Sequence, residues 1–139
     1  MPENNPIQIN PVDLEQDVAL GITLPMNAAN GGGLNSTFYT KDQVKSNMRL
    51  LFSTMIGERV MQPLFGTYLY NLLFQPATED LKMQQIRQEV DRAVELWIPI
   101  VNVIEVTFPE VIDEKFIRLT IKYSIPNFNI EDELTLEVT

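Results

Sequence analysis

The chain has 139 residues, 45% of them hydrophobic, and 19 acidic against 10 basic side chains give a net charge of -9. That length suits one domain with its own core, and the acidic balance argues against nucleic acid and against an anionic membrane surface, both of which call for clustered Lys and Arg. Without Cys or His, disulfides, the usual zinc sites, thiol catalysis and Ser–His or Cys–His nucleophiles are excluded; no cofactor and no small-molecule substrate is expected.

The first stretch, MPENNPIQINPVDLEQD, has no basic region ahead of an apolar core, so no signal peptide is expected. No apolar run approaches the roughly 20 residues of a membrane helix, which points to assembly in a cytoplasm. Residues 1–17, polar and carrying Pro2, Pro6 and Pro11, read as an extended N-terminal arm, and residues 18–139 as a single domain. Val18 to Pro25 is a short apolar patch, a strand or an irregular segment. Asn27 to Asn35, with Gly31, Gly32 and Gly33, reads as a flexible loop. A phosphate cradle would need a helix opening directly after it with a Lys-Ser/Thr pair, and none follows. Asp13, Glu15 and Asp17 invite a calcium reading, but no turn Gly and no closing Glu complete it.

Helical spacing begins at Thr40, where Thr40 and Gln43 make a capping-box pattern. Val44, Met48, Leu51, Phe52 and Met55 form one apolar stripe, with Lys41, Lys45 and Arg49 on a wet face and Gly57 as the helix stop. Thr78 can cap a second, longer helix ending near Trp97, with Leu81, Ile86, Val90, Ala93, Val94 and Trp97 inward and Pro99 as its stop. Arg87 with Asp91, and Glu89 with Arg92, have the spacing of solvated helix-face pairs. Between the helices lies GERVMQPLFGTYLYNLLFQP, residues 57–76, read as a rigid connector whose shape depends on Gly57, Pro63, Phe65, Gly66 and Phe74.

The remainder is β. Ile100 to Phe108 is β-branched and apolar on much of both sides, Phe116 to Ile125 alternates with Ile117, Leu119, Ile121, Tyr123 and Ile125 on one face, and Glu133 to Val138 alternates again. The connections Pro109–Glu114 and Pro126–Glu131 have hairpin length. The expected fold class is α+β: an N-terminal arm and helices, then a three-stranded antiparallel β-meander packed on the long helix.

Carboxylates are the remaining catalytic candidates. Glycoside hydrolysis needs a pair at a set separation, and nothing in the spacing of Glu58 and Glu105 brings them together, so no catalytic residue is assigned. Glu58 and Arg59 read as ion-pairing or loop-fixing residues, or Arg59 as a bidentate holder of a partner's carboxylate. Tyr68, Tyr70 and Phe74 read as core or interface rather than a sugar platform. The final strand carries no proline, so its edge could accept a donated strand; cover by the N-terminal arm is the alternative. Its polar positions Glu133, Thr135 and Glu137 lie beside Arg118, Thr120 and Lys122 of the preceding strand.

Leu20-Gly21, Leu24-Pro25, Thr54, Gly57-Glu58-Arg59, Pro63, Phe65-Gly66, Leu69, Leu72-Leu73-Phe74, the long helix ending Ala93…Trp97, Pro99 and the strand Val101–Phe108 follow one another in an order that resembles a known family. The chain resembles the gene-25-type baseplate wedge protein of contractile phage tails, related to the small baseplate subunit of type VI secretion, over residues 18–138. The resemblance implies a structural virion component of the tail baseplate. Such a component packs with larger wedge proteins and presents its C-terminal sheet, by β-strand augmentation, as template for the first sheath ring. The sheath-binding strands would then carry Arg118, Thr120, Lys122, Glu133, Thr135 and Glu137.

The family usually carries Glu-Pro-Arg after the long helix; here the segment is Trp97-Ile98-Pro99-Ile100, so proline stays and both charges become isoleucine. Wedge contact is expected at Glu58, Arg59, Trp97, Ile98, Pro99 and Ile100, either with an apolar contact in place of the charged one or with Ile98 and Ile100 buried in the chain's own core. The alternatives are a muralytic, lysozyme-like baseplate enzyme, a subunit of a type VI or other contractile injection system, and a regulatory binder of the same fold.

Overall fold

Helical periodicity organises residues 40–97 and strand alternation the last third. The computed structural model describes residues 11–15, 17–26, 33–107 and 117–138. Residues 1–10 of the expected arm, Gly31 and Gly32 of the loop, and the connection Pro109–Glu114 lie outside the described residues.

Helix α1 spans Thr40–Ser53 and buries Val44, Met48, Leu51 and Phe52. Met55 falls outside the buried stripe, because the helix stops at Ser53 and the chain leaves through an extended Thr54. Gly57 is therefore not the helix stop; it sits in the following turn with φ +92°. The capping box does not form either. Thr40 lies inside the helix, and Asp13, in a 3-10 turn over Pro11–Leu14, accepts both the Thr40 N–H and its hydroxyl at 2.8 Å. A side chain from 27 positions upstream thus satisfies a helix-end donor that a local cap would have served. The Gln43 carboxamide instead meets the Thr37 hydroxyl and donates to Asn47 Oδ1 at 2.8 Å.

Strands β1 (Gly21–Ile22) and β2 (Ser36–Thr37) pair antiparallel beside α1. Two side chains of α1 sew this segment down: Ser46 Oγ accepts the Leu24 N–H at 3.2 Å, and Arg49 donates to the Leu24 carbonyl at 2.8 Å. Arg49 is therefore not on a free wet face. Nor is Lys45, which reaches Asp132 at 3.2 Å.

Helix α2 (Leu69–Phe74) is a single short helix inside the connector, with Leu69 and Leu73 buried. Helix α3 runs Glu79–Trp97 behind Thr78, whose side chain makes no capping bond. Its core face is Ile86, Val90, Ala93 and Val94, while Leu81 is half-exposed. Lys82 of α3 donates to the Leu73 carbonyl at 3.1 Å, serving an acceptor that α2 leaves free at its end.

The sheet is β3 (Asn102–Thr107), β4 (Ile117–Ile125) and β5 (Ile130–Val138), antiparallel in that order. The turn between β4 and β5 is a 3-10 turn over Pro126–Phe128 closed by Asn129 at φ +50°. It is shorter than expected, so β5 begins at Ile130. Leu119, Ile121, Tyr123, Ile125, Leu134 and Leu136 face the helices and join their apolar residues in one core. In β3 the register shifts between Val103 and Glu105, a bulge at Ile104. Residues three apart lie on opposite faces of a regular strand. The extra residue puts both Val103 and Val106 opposite inward partners, Tyr123 and Ile121.

Candidate functional site

The connector is pinched at its neck. The Gly57 N–H donates to the Pro63 carbonyl at 2.7 Å, the Glu58 N–H to the Met55 carbonyl at 3.1 Å, and the Phe65 N–H to the Gln62 carbonyl at 3.0 Å. The two flanks then meet as a parallel bridge between Met55 and Thr67, with the Thr67 N–H on the Thr54 carbonyl at 2.9 Å. Gly66 makes this approach possible: at φ +121°, a Cβ there would lie 2.5 Å from the Thr54 carbonyl oxygen. Gly57, Pro63 and Gly66 therefore all act at the neck. Phe74 does not; it is half-exposed at the end of α2, against Tyr70 with ring centroids 4.8 Å apart.

Beside the neck is a groove of about 380 Å³ lined by Asn47, Leu50, Arg59, Phe65, Trp97, Ile98, Pro99 and Ile100. The Arg59 guanidinium lies 4.3 Å from the Phe65 ring centroid, and Phe65 meets Trp97 edge-on at 5.1 Å. Of the six residues expected to touch a partner, Arg59, Trp97, Ile98, Pro99 and Ile100 come together on this one surface. Glu58 stands apart: its carboxylate accepts the Met55 N–H at 3.0 Å and fixes the loop. Ile98 is partly buried and packs on the core, whereas Ile100 is 41% exposed. The Trp97 indole N–H is buried with no acceptor among the described residues.

The second surface is the outer face of the sheet. Arg118, Thr120 and Lys122 stand directly opposite Glu137, Thr135 and Glu133 in the β4–β5 register, so the six expected residues form three cross-strand pairs. Arg118 bonds Glu137 at 2.8 Å, while Lys122 turns the other way, to Glu105 of β3 at 3.1 Å. Glu105 is thereby an outward-facing partner of Lys122, and Glu58 is tied to the neck of the connector.

Two acidic residues matter more than their spacing suggests. Glu89, expected on a solvated face, is only 9% exposed. Its carboxylate accepts the Tyr68 N–H at 2.9 Å and two bonds from Arg92, at 2.7 and 3.0 Å. Burial pushes this carboxyl up, but the Arg92 and Tyr68 bonds outweigh it and hold it below the ordinary glutamate value. Asp132 stands opposite Tyr123 on the core face of the sheet, where Lys45 and Lys41 approach it at 3.2 and 3.7 Å. Burial pushes it up as well, and the Glu133 N–H together with Lys45 brings it below the ordinary aspartate value. An acidic residue at an inward position of an alternating strand, as Asp132 is, was the one available signal. Nothing local marks Glu89.

No three or more acidic side chains among the described residues form a cluster able to hold a metal, and no described helix is long and apolar enough to cross a membrane.

The family model for baseplate wedge protein gp25 matches residues 39–129, which takes in α1, the connector, α3, β3 and β4. The chain belongs to the gp25 baseplate wedge family. No curated protein sequence gives a significant match, whereas several solved structures do. Among those structures, a Geobacter sulfurreducens protein carrying the provisional name of tail lysozyme is 25% identical with a TM-score of 0.62, over 70% of this chain and 88% of that one. A chain of the anti-feeding prophage baseplate shares the fold at 20% identity and a TM-score of 0.63, over 76% of this chain and 84% of its own. Family membership and the α+β layout thus agree with the resemblance carried by the connector and the long helix. In gp25 family terms, the matched region includes the groove and stops at the turn before β5.

Proposed function

We propose that this chain is a structural, non-catalytic wedge subunit in the tail baseplate of a contractile particle, assembled in the host bacterial cytoplasm. It packs with larger wedge proteins through the Arg59–Phe65–Trp97–Ile100 groove and nucleates the first sheath ring by accepting a sheath strand on β5. The same reading applies to a type VI or other contractile injection baseplate.

The observation that carries the sheath half is the unlike state of the two sheet edges. Edge strand β3 is bulged at Ile104, and Arg87 of α3 donates to the Ile104 carbonyl at 3.4 Å; both features blunt an edge. Edge strand β5 pairs with β4 without a bulge from Ile130 to Val138, and no described strand lies on its other side. An unblocked regular edge is what strand addition requires.

Against a muralytic role, Glu58 is engaged by the backbone of its own loop and Glu105 by Lys122 on the outer face of the sheet. Purified protein is expected to leave peptidoglycan intact in a clear-zone assay, and clearing that disappears in Glu58→Gln would assign an enzyme instead. Deleting Glu133–Thr139 is a poor test of sheath nucleation, because it removes the core residues Leu134 and Leu136. Hydrogen exchange on intact particles is cleaner. The outward-pointing amides of β5 should become protected when sheath assembles on the baseplate, while β3 stays as it was. Unchanged β5 exchange in sheathed particles would overturn the strand-accepting role.

A further inference from the structure

Loop tips are usually polar, and a soluble monomer rarely leaves several large apolar side chains together in water. The connector tip does so. Val60 is 94% exposed, Met61 92% and Leu64 72%. The loop that carries them is tied at its neck by the Gly57–Pro63 and Phe65–Gln62 bonds and by the Glu58 carboxylate on the Met55 N–H. The result is an apolar knob of three exposed side chains within five residues, on a loop tied at its neck.

The residue at the base of the knob indicates what it meets. Every other described Lys or Arg reaches a carboxylate or carbonyl oxygen; among the described residues Arg59 reaches none, and its guanidinium lies over the face of Phe65. This holds in a chain with 19 acidic residues. We infer that the Val60–Met61–Leu64 tip inserts into an apolar pocket of a neighbouring wedge subunit that carries an Asp or Glu at its rim, placed to take both N–H groups of Arg59. Planar guanidinium suits a bidentate carboxylate, and an apolar pocket around it strengthens the pair. An anionic lipid surface is disfavoured by the overall charge of -9. A two-fold contact of tip with tip would set one Arg59 against the other.

This inference rests on the wedge reading, and the test separates the two. Hydroxyl-radical oxidation of free protein and of purified particles is read methionine by methionine, with fully buried Met48 as the floor and exposed Met26 as a reference. The expected result is that Met61 oxidation falls by about tenfold in the particle, as for a side chain in a desolvated interface core. Val60→Asp with Met61→Asp should keep the melting temperature within about 2 °C and lower incorporation into particles by about tenfold or more. Arg59→Gln should lower it less. Particles that contain the chain but oxidise Met61 as fast as the free protein would overturn the insertion while leaving the wedge reading standing. A wild-type chain that never enters particles would overturn both. A dimer in light scattering that Val60→Asp dissolves would overturn the assignment to a different subunit.

Discussion

Glu89 in the middle of α3 accepts the backbone N–H of Tyr68, 21 positions upstream, at 2.9 Å, and so fixes where α2 begins relative to the long helix. The Arg92 fork on the same carboxylate keeps it ionised there. Glu89→Ala strands a backbone donor and an arginine together, a loss of about 2–3 kcal/mol. Glu89→Gln keeps an acceptor for Tyr68 and weakens only the Arg92 link, costing about 1 kcal/mol. Urea unfolding of the two variants checks the order; equal losses would mean that the Tyr68 bond contributes little.

The second prediction concerns acid. Glu89 and Asp132 both have folded-state pKa values below their ordinary ones. A carboxylate depressed in this way contributes stability that is present above its unfolded pKa, about 3.9 for Asp and 4.3 for Glu. That stability is lost as pH falls through the folded value. The melting temperature should therefore hold from pH 7 to about 5 and fall below about 4. Asp132→Asn should be less stable than the parent at pH 7, and the gap should narrow as pH drops and Asp132 itself is protonated. A gap that stays constant down to pH 3 would show that charge on Asp132 is not what Lys45 and the Glu133 N–H stabilise.

Gly66 offers a steric test of the neck. Its φ of +121° is strained for any L side chain, and the obstacle to a Cβ is backbone, the Thr54 carbonyl at 2.5 Å. Gly66→Ala is expected to cost about 2 kcal/mol or more. Gly57 at φ +92° has open space around a Cβ, so Gly57→Ala carries only the backbone term, about 1 kcal/mol. Thermal melts of the pair separate close approach from conformational preference. Equal losses would argue against a tight neck.

Much of this architecture was legible because periodicity is a local signal. Val44, Met48 and Leu51 on α1, Ile86, Val90 and Val94 on α3, and Leu119, Ile121, Tyr123 and Ile125 on β4 are buried as their spacing requires. Other features escaped because they depend on tertiary neighbours. The Thr40 cap comes from Asp13, and Glu89 with Arg92 looks like any surface pair until α2 lies over it. In β3, Val103, Ile104 and Val106 read as apolar on both faces because a bulge cannot be seen in the residues of one strand alone. The groove was half legible. Trp97 to Ile100 stood out as a contiguous segment, while its closure by Phe65 and Asn47 needed the fold.

The last prediction asks what replaced the charged pair expected after the long helix. Ile98 and Ile100 flank Pro99 and both line the groove, but they differ in burial. Ile98 packs on the core, so Ile98→Glu places a carboxylate in an apolar setting and should cost about 1–3 kcal/mol of fold stability. Any loss of wedge binding in that variant, alone or combined with Ile100→Arg, therefore mixes folding with contact. Ile100, 41% exposed, can be changed more cleanly. Ile100→Arg should leave stability within about 0.5 kcal/mol, yet weaken co-purification with co-expressed wedge subunits by about tenfold if the groove is an apolar contact. Undiminished co-purification of Ile100→Arg would argue that the two isoleucines serve this chain's own packing, with the wedge held elsewhere.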